Sequence, residues 1–129
     1  MKTQYTAALT LLAGVAIGAV AVQGLHAQGA KLKAYSIAEV ELLGGTADAA
    51  YLDAVRKEIA ANHGHTLRTI NGRVVKIEGT DPPKSVAIVE WDSVDDAMAF
   101  YKSKTWTDFA AQRDKTQKTI RRYIVETEK

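Results

Sequence analysis

The chain has 129 residues, no cysteine and a formal net charge of +2 at pH 7. The lack of cysteine excludes a disulfide framework, a thiolate nucleophile and a lipoprotein attachment residue. A charge this close to zero offers no electrostatic basis for binding nucleic acid, so we predict no nucleic-acid partner.

The first 30 residues differ in composition from the rest of the chain. A single charge, Lys2, precedes an apolar run over residues 7–22, and small residues follow that run. The run is shorter than the roughly 20 residues of a membrane-spanning helix, and small residues are what a signal peptidase site requires. We predict a signal peptide over residues 1–27, an exported domain over residues 28–129, and a periplasmic or secreted location.

Two alternatives exist for this N-terminal segment. The triplet Ala19-Val20-Ala21 also satisfies the small-residue rule of signal peptidases, although it lies within the apolar run. An uncleaved segment would instead anchor the chain, and Gly14 and Gly18 have a spacing that lets membrane helices approach closely. We expect membrane contact only through such an uncleaved segment.

Residues 33–43 predict the first strand. Both alternating faces of this segment carry apolar side chains, such as Tyr35 on one and Val40 on the other, so we expect both to be covered. A glycine pair then breaks the pattern. Residues 46–62 repeat apolar side chains at helical spacing and predict an amphipathic helix, with Gly64 as its C-terminal stop.

Residues 65–78 predict an irregular or bent second strand. Asn71-Gly72 lies there between two β-prone runs and indicates a tight turn or a bulge. The proline pair that follows cannot continue a ladder and predicts a loop. Residues 85–91 predict the third strand, which is again apolar on both faces and therefore belongs in the centre of the sheet.

The C-terminal part predicts two helical pieces and a strand. Ser93 is placed to cap a helix by accepting a hydrogen bond from the backbone N–H near Asp96. Thr105 is placed to cap a second helical piece in the same way. Residues 120–127 then predict the fourth strand.

The resulting order, β-α-β-β-α-β, is typical of the ferredoxin-like α+β fold, whose first and third strands lie at the centre of a four-stranded antiparallel sheet. We expect these two central strands to be parallel to each other. Two helices cover only one face of the sheet, whereas the central strands are apolar on both. The other face, here termed the open face, bears Tyr35, Ile37, Val86 and Ile88, and we predict that a second copy of the chain covers it.

The segments KAYSIAEVEL and IEGTDPPKSVAIVEWDSVDDAMAFYKS, together with an FY pair ahead of Trp106, resemble the DUF1330 family over residues 33–127. Where that family has a Gly-Gly pair before the second strand, this chain has HGH. The resemblance implies a ferredoxin-like domain within the dimeric α+β barrel superfamily and carries no agreed activity. The wider superfamily includes cofactor-free monooxygenases, muconolactone isomerases and haem enzymes, so the fold does not identify a function.

Glu39 and Glu90 are the candidate catalytic residues. Strand alternation places both carboxylates on the open face, and parallel central strands would bring them together. Two close carboxylates repel each other, which raises the pKa of one and suits it to general acid or base chemistry near neutral pH. The alternative is a buried ion pair with Arg68, or solvation at the mouth of the barrel.

Tyr101, Trp106 and Arg113 are the candidate ligand-binding residues between the second helix and the sheet. Arg113 would bind a carboxylate there through the two-pronged geometry of its guanidinium. The alternative is that the aromatic rings are core residues and that Arg113 pairs with a neighbouring acid. Tyr35 and Arg68 complete the predicted ligand contacts.

His63 and His65 stand two residues apart, a spacing that would offer one or two imidazoles to a metal or to haem iron. No third ligand follows at a suitable spacing. We therefore predict no metal and no cofactor, and we interpret the two side chains as solvated histidines of a loop.

Together these features predict an exported, homodimeric α+β barrel that binds a small molecule in the barrel or in the pocket between helices and sheet. One alternative is a cofactor-independent isomerase or monooxygenase that uses Glu39 or Glu90 as its base. Another is a non-catalytic structural or interaction module. A perturbed carboxylate in a polar pocket favours the enzyme, whereas a filled apolar barrel favours the interaction module.

Overall fold

A computed structural model of the chain describes residues 31–129, and the predicted signal peptide, residues 1–27, lies outside the described residues. The elements in chain order are β1 (Ala34–Leu42), α1 (Ala49–Ala61), β2 (Gly64–Leu67), β3 (Ser85–Trp91), α2 (Val94–Tyr101), α3 (Lys104–Asp108), α4 (Ala110–Thr116) and β4 (Gln117–Glu126). Within residues 31–129, none of these helices has the length and apolar content that a membrane span requires.

The four strands form one antiparallel sheet in the order β2-β3-β1-β4. This arrangement confirms the predicted α+β, ferredoxin-like fold. The prediction that β1 and β3 are parallel is wrong, because they pair antiparallel along their whole length. The crossover through α1 makes β2 parallel to β1, and the chain must then reverse direction to insert β3 between them.

The second strand is much shorter than predicted, since only Gly64–Leu67 pairs with β3 and residues 68–84 form turns and loop. Thr69 is the physical reason. Its hydroxyl donates to the carbonyl of Val86 at 2.6 Å and accepts from the backbone N–H of Ile88 at 3.2 Å. A side chain thus takes the hydrogen bonds that a continuing strand would have made.

Two helix boundaries also differ from expectation. The first helix ends with Asn62 as its C-cap, and His63 takes the left-handed conformation (φ 58°) expected of a residue just beyond the helix, so Gly64 already belongs to β2. Ser103, and not Thr105, caps α3 by accepting from the backbone N–H of Trp106 at 3.2 Å. The predicted Ser93 cap of α2 is confirmed, with its hydroxyl accepting from the Asp96 N–H at 3.1 Å.

The helices cover one face of the sheet and form the core with it. Trp91 and Phe100 are the largest fully buried side chains, and their ring centroids lie 5.2 Å apart. The indole N–H of Trp91 donates to the buried hydroxyl of Ser36 at 2.9 Å, which satisfies the polar atom of this large core residue. The smaller core residues around them are Ala34, Ala38, Val40, Ile59 and Ala97.

The open face lies on the other side of the sheet, as the alternation predicted. Tyr35, Ile37, Val86 and Ile88 are half-buried there, with no helix packed over them in the described part of the chain. On β4 the same face continues with Val125, which is 48% exposed. Within residues 31–129, the helices therefore leave an apolar sheet surface uncovered.

Candidate functional site

Glu90, at one end of the open face, is paired with its own chain. Its carboxylate forms an ion pair with Lys33 and accepts a hydrogen bond from the hydroxyl of Tyr35 at 3.0 Å. Tyr35 stands directly opposite Glu90 in the β1–β3 register. The hydrogen bond from Lys33, followed by that from Tyr35, lowers the pKa of Glu90 below its ordinary value of 4.5.

Glu39, at the other end of the open face, is paired in the same manner. It lies opposite Arg121 of β4, whose Nε is 2.9 Å from its carboxylate, and the hydroxyl of Tyr123 donates to it at 3.2 Å. The hydrogen bond from Arg121 is the largest influence and lowers the pKa of Glu39, although burial acts in the opposite direction.

The two carboxylates do not meet, so the predicted close pair is wrong. Glu39 stands opposite Val86, four residues along β3 from Glu90. At the rise of a strand this spacing amounts to about 13 Å. Antiparallel pairing is the reason, because it carries the two residues toward opposite ends of the sheet. Both pKa values are lowered, where a close pair would have raised one. Each residue forms an ion pair, as in the alternative interpretation, but with Arg121 for Glu39 and Lys33 for Glu90 instead of Arg68.

Arg68 lines a groove of about 770 Å³ at the β2 edge of the sheet. Leu67 and Ile88 contribute apolar surface to this groove, and Arg56 and His65 contribute polar groups. Of the residues predicted to contact a ligand, the structure thus places Arg68 in a concave site. Tyr35 instead donates its hydroxyl to the carboxylate of Glu90 on the open face.

The two histidines have different neighbours. The Nδ1 of His63 is 3.1 Å from a carboxylate oxygen of Asp96 in the first turn of α2. His65 faces Glu90 across the β2–β3 pair. Among residues 31–129, no three His, Cys, Asp or Glu side chains are grouped closely enough to hold a metal ion.

The structure brings Tyr101, Trp106 and Arg113 together, and both aromatic rings are partly buried against the hydrophobic core. The rings of Tyr101 and Trp106 are edge-to-face with centroids 5.0 Å apart. The guanidinium carbon of Arg113 lies 3.7 Å from the Trp106 ring centroid, and its Nη1 donates to the Trp106 carbonyl at 3.2 Å. Such stacking of a guanidinium on an indole is a favourable cation–π contact.

A fourth member of this group, Arg122 of β4, was missed from the sequence. Its guanidinium carbon lies 4.6 Å from the centroid of the same Trp106 ring and 5.8 Å from that of Tyr101. A signal was present, because neighbouring residues of a strand point to opposite faces and the pair Arg121-Arg122 must therefore place one guanidinium toward the helices. The four residues Tyr101, Trp106, Arg113 and Arg122 are termed the aromatic–arginine cluster.

Burial and repulsion both act on Arg122. Its side chain is half-buried, and burial, opposed in part by Tyr101 and reinforced by Arg113, lowers the pKa of its guanidinium. Tyr51 of α1 lies nearby, and its pKa is raised by burial and drawn back down by the two arginines. The cluster is therefore a positively charged, aromatic-lined spot on the helix side of the sheet.

The comparisons with known proteins bear on the fold. The family model described as "Domain of unknown function (DUF1330)" matches residues 33–127, the same range as the resemblance found in the sequence. Among curated proteins, none matches this chain. A crystal structure of a protein of unknown function from Rhodopseudomonas palustris is similar, with a TM-score of 0.52 and 13% sequence identity over 83% of this chain and 89% of that one. At this identity the likeness shows the fold alone.

Proposed function

The chain belongs to the DUF1330 family, and from that premise we propose that it is an exported, homodimeric domain that binds a small molecule without transforming it. The second copy covers the open face, and the ligand lies in the groove beside β2. The family supplies no activity, so the proposal rests on the chemistry of these two surfaces.

The ion pairing of Glu39 and Glu90 on the open face is the observation that carries the proposal. The apolar residues of this face are half-buried or exposed, and Glu39 and Glu90 each already have a cation and a tyrosine hydroxyl from their own chain. Covering a surface is costly when it leaves a charge without a partner. Here a second copy can cover the apolar strip without leaving Glu39 or Glu90 unpaired. Apolar patches of this kind are typical of interaction sites.

The groove beside β2 supports the ligand part of the proposal. Its volume of about 770 Å³ falls within the roughly 300–1,000 Å³ of small-molecule sites. It combines apolar walls, Leu67 and Ile88, with the polar groups of Arg56, His65 and Arg68. Since Leu67 and Ile88 also belong to the open face of the sheet, a second copy on that face would enclose one side of the groove.

The carboxylates themselves favour binding over catalysis. A general base works best when its pKa is near the operating pH, whereas Glu39 and Glu90 both have lowered pKa values. Each is held as an anion by two donors, which makes it a weak base. An isomerase or monooxygenase that uses either residue as its base would require these pairs to separate when substrate binds.

One observation supports the interaction-module alternative. Val75 and Ile77, on the loop after β2, are 58% and 89% exposed. Two neighbouring apolar side chains this exposed are suited to contact with another protein surface. If that surface is the second copy, both residues become protected in the dimer; if it is a different protein, they stay exposed in the purified chain.

The central experiment is native mass spectrometry of the chain purified gently from its host. We expect the mass of a dimer, with additional mass for a bound small molecule. Organic solvent should release this molecule, and its mass then identifies it. The substitution Arg68→Gln should abolish binding of the small molecule, while the protein remains a dimer. The control Lys102→Gln, an exposed charge on the C-cap of α2, should retain both. A monomer without bound mass contradicts the proposal, and turnover of the released compound by the protein would favour the enzyme instead.

Export rests on residues 1–27 and has its own test. The intact mass of the protein recovered from the soluble exported fraction of the native host should correspond to a chain that begins at Gln28. A full-length chain recovered from the membrane fraction would replace the exported domain with an anchored one.

A further inference from the structure

Two guanidinium groups lie close to one indole ring in the aromatic–arginine cluster. Arg113 and Arg122 lie 3.7 Å and 4.6 Å from the ring centroid of Trp106, so the two positive charges are near neighbours. They come from different elements, α4 and β4, and the fold brings them together. Like charges repel, and the repulsion is stronger where burial reduces the screening by water.

No acid compensates these two charges within the described residues. The ion pairs there use Lys33, Lys57, His63, Lys76, Lys104 and Arg121, and neither cluster arginine forms one. Asp114 influences Arg122 only at longer range. Arg121 makes the contrast clear, because on the opposite face it is paired with Glu39. Partly buried cations without an acid are costly unless they meet an anion.

The cluster is also accessible. In the described part of the chain, every fully buried side-chain nitrogen or oxygen has a hydrogen-bond partner. Arg122 is half-buried and donates none of the side-chain hydrogen bonds in this region, so none of its guanidinium nitrogens is fully buried. The hydroxyl-bearing rings of Tyr51 and Tyr101 lie beside it. An anion at this surface would meet the forked donors of Arg122 next to tyrosine side chains.

We infer that Arg113 and Arg122 form a binding site for the carboxylate or phosphate group of a small organic molecule, with Trp106 as the platform that holds both guanidiniums. The site lies on the helix side of the sheet and is separate from the groove beside β2. It is therefore independent of the dimer and of the ligand in that groove.

The test is an NMR titration of the full chain, or of its processed form, with sodium benzoate, inorganic phosphate and sodium chloride at matched ionic strength. The chain has two tryptophans, and they give the experiment an internal reference. Trp106 lies in the cluster, whereas the indole N–H of Trp91 is buried on Ser36. We expect saturable shifts of the Trp106 indole N–H and of the Nε–H groups of Arg113 and Arg122, with the Trp91 signal unchanged.

Variants separate anion binding from a purely structural cation–π stack. Arg122→Gln should weaken the binding of benzoate or phosphate by about tenfold or more, since it removes charge-assisted hydrogen bonds. Lys115→Gln, which removes an exposed charge from the same helix as Arg113, should change it less than about twofold. Arg122→Lys keeps the charge and is the substitute variant if Arg122→Gln does not fold. Loss of the planar guanidinium fork should still weaken binding of the anion.

The probes also identify the head group. Saturation by benzoate alone indicates a carboxylate ligand, and saturation by phosphate alone indicates a phosphate ester; either result supports the site. Shifts that grow linearly with all three salts, or an affinity that is the same in the wild type and in Arg122→Gln, would show that the guanidiniums only stack on the rings and would overturn the inference.

Discussion

Individual polar side chains of the sheet are satisfied by specific partners on neighbouring strands or strand ends. Glu39 and Glu90 each have one cation and one tyrosine hydroxyl, and Trp91 has the hydroxyl of Ser36. A polar group removed from water is costly unless it is hydrogen-bonded, so these pairs are what allow charged and polar atoms in a largely apolar sheet. Their removal should therefore have local, measurable effects.

The paired carboxylates predict a pH dependence. The folded-state pKa values of Glu39 and Glu90 lie below the ordinary value of 4.5. Their contribution to stability is therefore complete above about pH 4.5 and is lost as the pH falls through the lowered values. Carbon-13 NMR titration should find both midpoints below 4.5. Lys33→Gln should raise the midpoint of Glu90 alone, and Arg121→Gln that of Glu39 alone; a normal midpoint for either in the wild type argues against its ion pair.

The hydrogen bond between Trp91 and Ser36 predicts a stability effect. Ser36→Ala leaves the buried indole N–H without an acceptor and should lower the free energy of unfolding by about 1–3 kcal/mol. Urea denaturation followed by tryptophan fluorescence measures it. In the double variant Ser36→Ala with Trp91→Phe, the Ser36 change should cost less than in the wild type, because no donor is left unpaired. An equal cost in both backgrounds would show that the hydrogen bond is not the cause.

At the level of elements, the edge of the sheet is set by unusually close packing. A Cβ atom at Gly64, the first residue of β2, would lie 2.6 Å from the Trp91 ring and 2.7 Å from Ile59. The short strand can approach the core only because that residue has no side chain. Beyond it, Thr69 replaces the ladder with side-chain hydrogen bonds and releases residues 68–84 into a loop. This loop and β2 line the groove proposed for the ligand, together with Arg56 of α1 and residues of β3.

Gly64→Ala tests this packing. The added methyl group must displace the Trp91 ring, part of the fully buried core, and overpacking of this kind lowers the free energy of unfolding by about 1–3 kcal/mol. The matched control is Thr66→Ala in the same strand, whose side chain is exposed and which should change stability by less than about 0.5 kcal/mol. Similar values for the two variants would mean that β2 does not depend on close approach to Trp91.

At the level of the whole molecule, the two faces of the sheet differ in whether helices cover them. The helices cover one face and build the core, while the open face keeps an apolar strip on which Glu39 and Glu90 are already paired. A domain of this size buries only about two-thirds of its unfolded surface, so association through that strip would add to its stability. The proposed dimer therefore depends on the apolar residues of the open face and not on its carboxylates.

Ile88→Asp tests the proposed dimer. A carboxylate in the middle of the open face would be buried without a partner on association, at a cost of about 3–5 kcal/mol. Multi-angle light scattering should show a dimer for the wild type and a monomer for the variant at micromolar concentration. Leu52→Asp, at a residue of α1 that is 38% exposed, is the control and should remain a dimer. A wild-type monomer, or a dimer unaffected by Ile88→Asp, would place the interface elsewhere or exclude it.

Much of the fold could be predicted from the sequence, because the signals involved are local. Strand alternation and helical spacing gave the β-α-β-β-α-β order, and residues 85–91 were predicted with both bounds correct. The Ser93 cap and the apolar open face follow from a capping pattern and a period of two, each spanning only a few residues. The grouping of Tyr101, Trp106 and Arg113 could be anticipated for the same reason.

Only the tertiary structure decided which residues far apart in the chain are in contact. The direction of β3 relative to β1 separates Glu39 from Glu90, and β4 then supplies the partners of Glu39, including Tyr123 at a distance of 84 residues along the chain. Arg122 joins the aromatic–arginine cluster by the same route. Composition, periodicity and capping are properties of neighbouring residues, whereas strand direction and register depend on how distant segments pair. These two features determine which charges of the sheet are neutralised by a neighbouring strand.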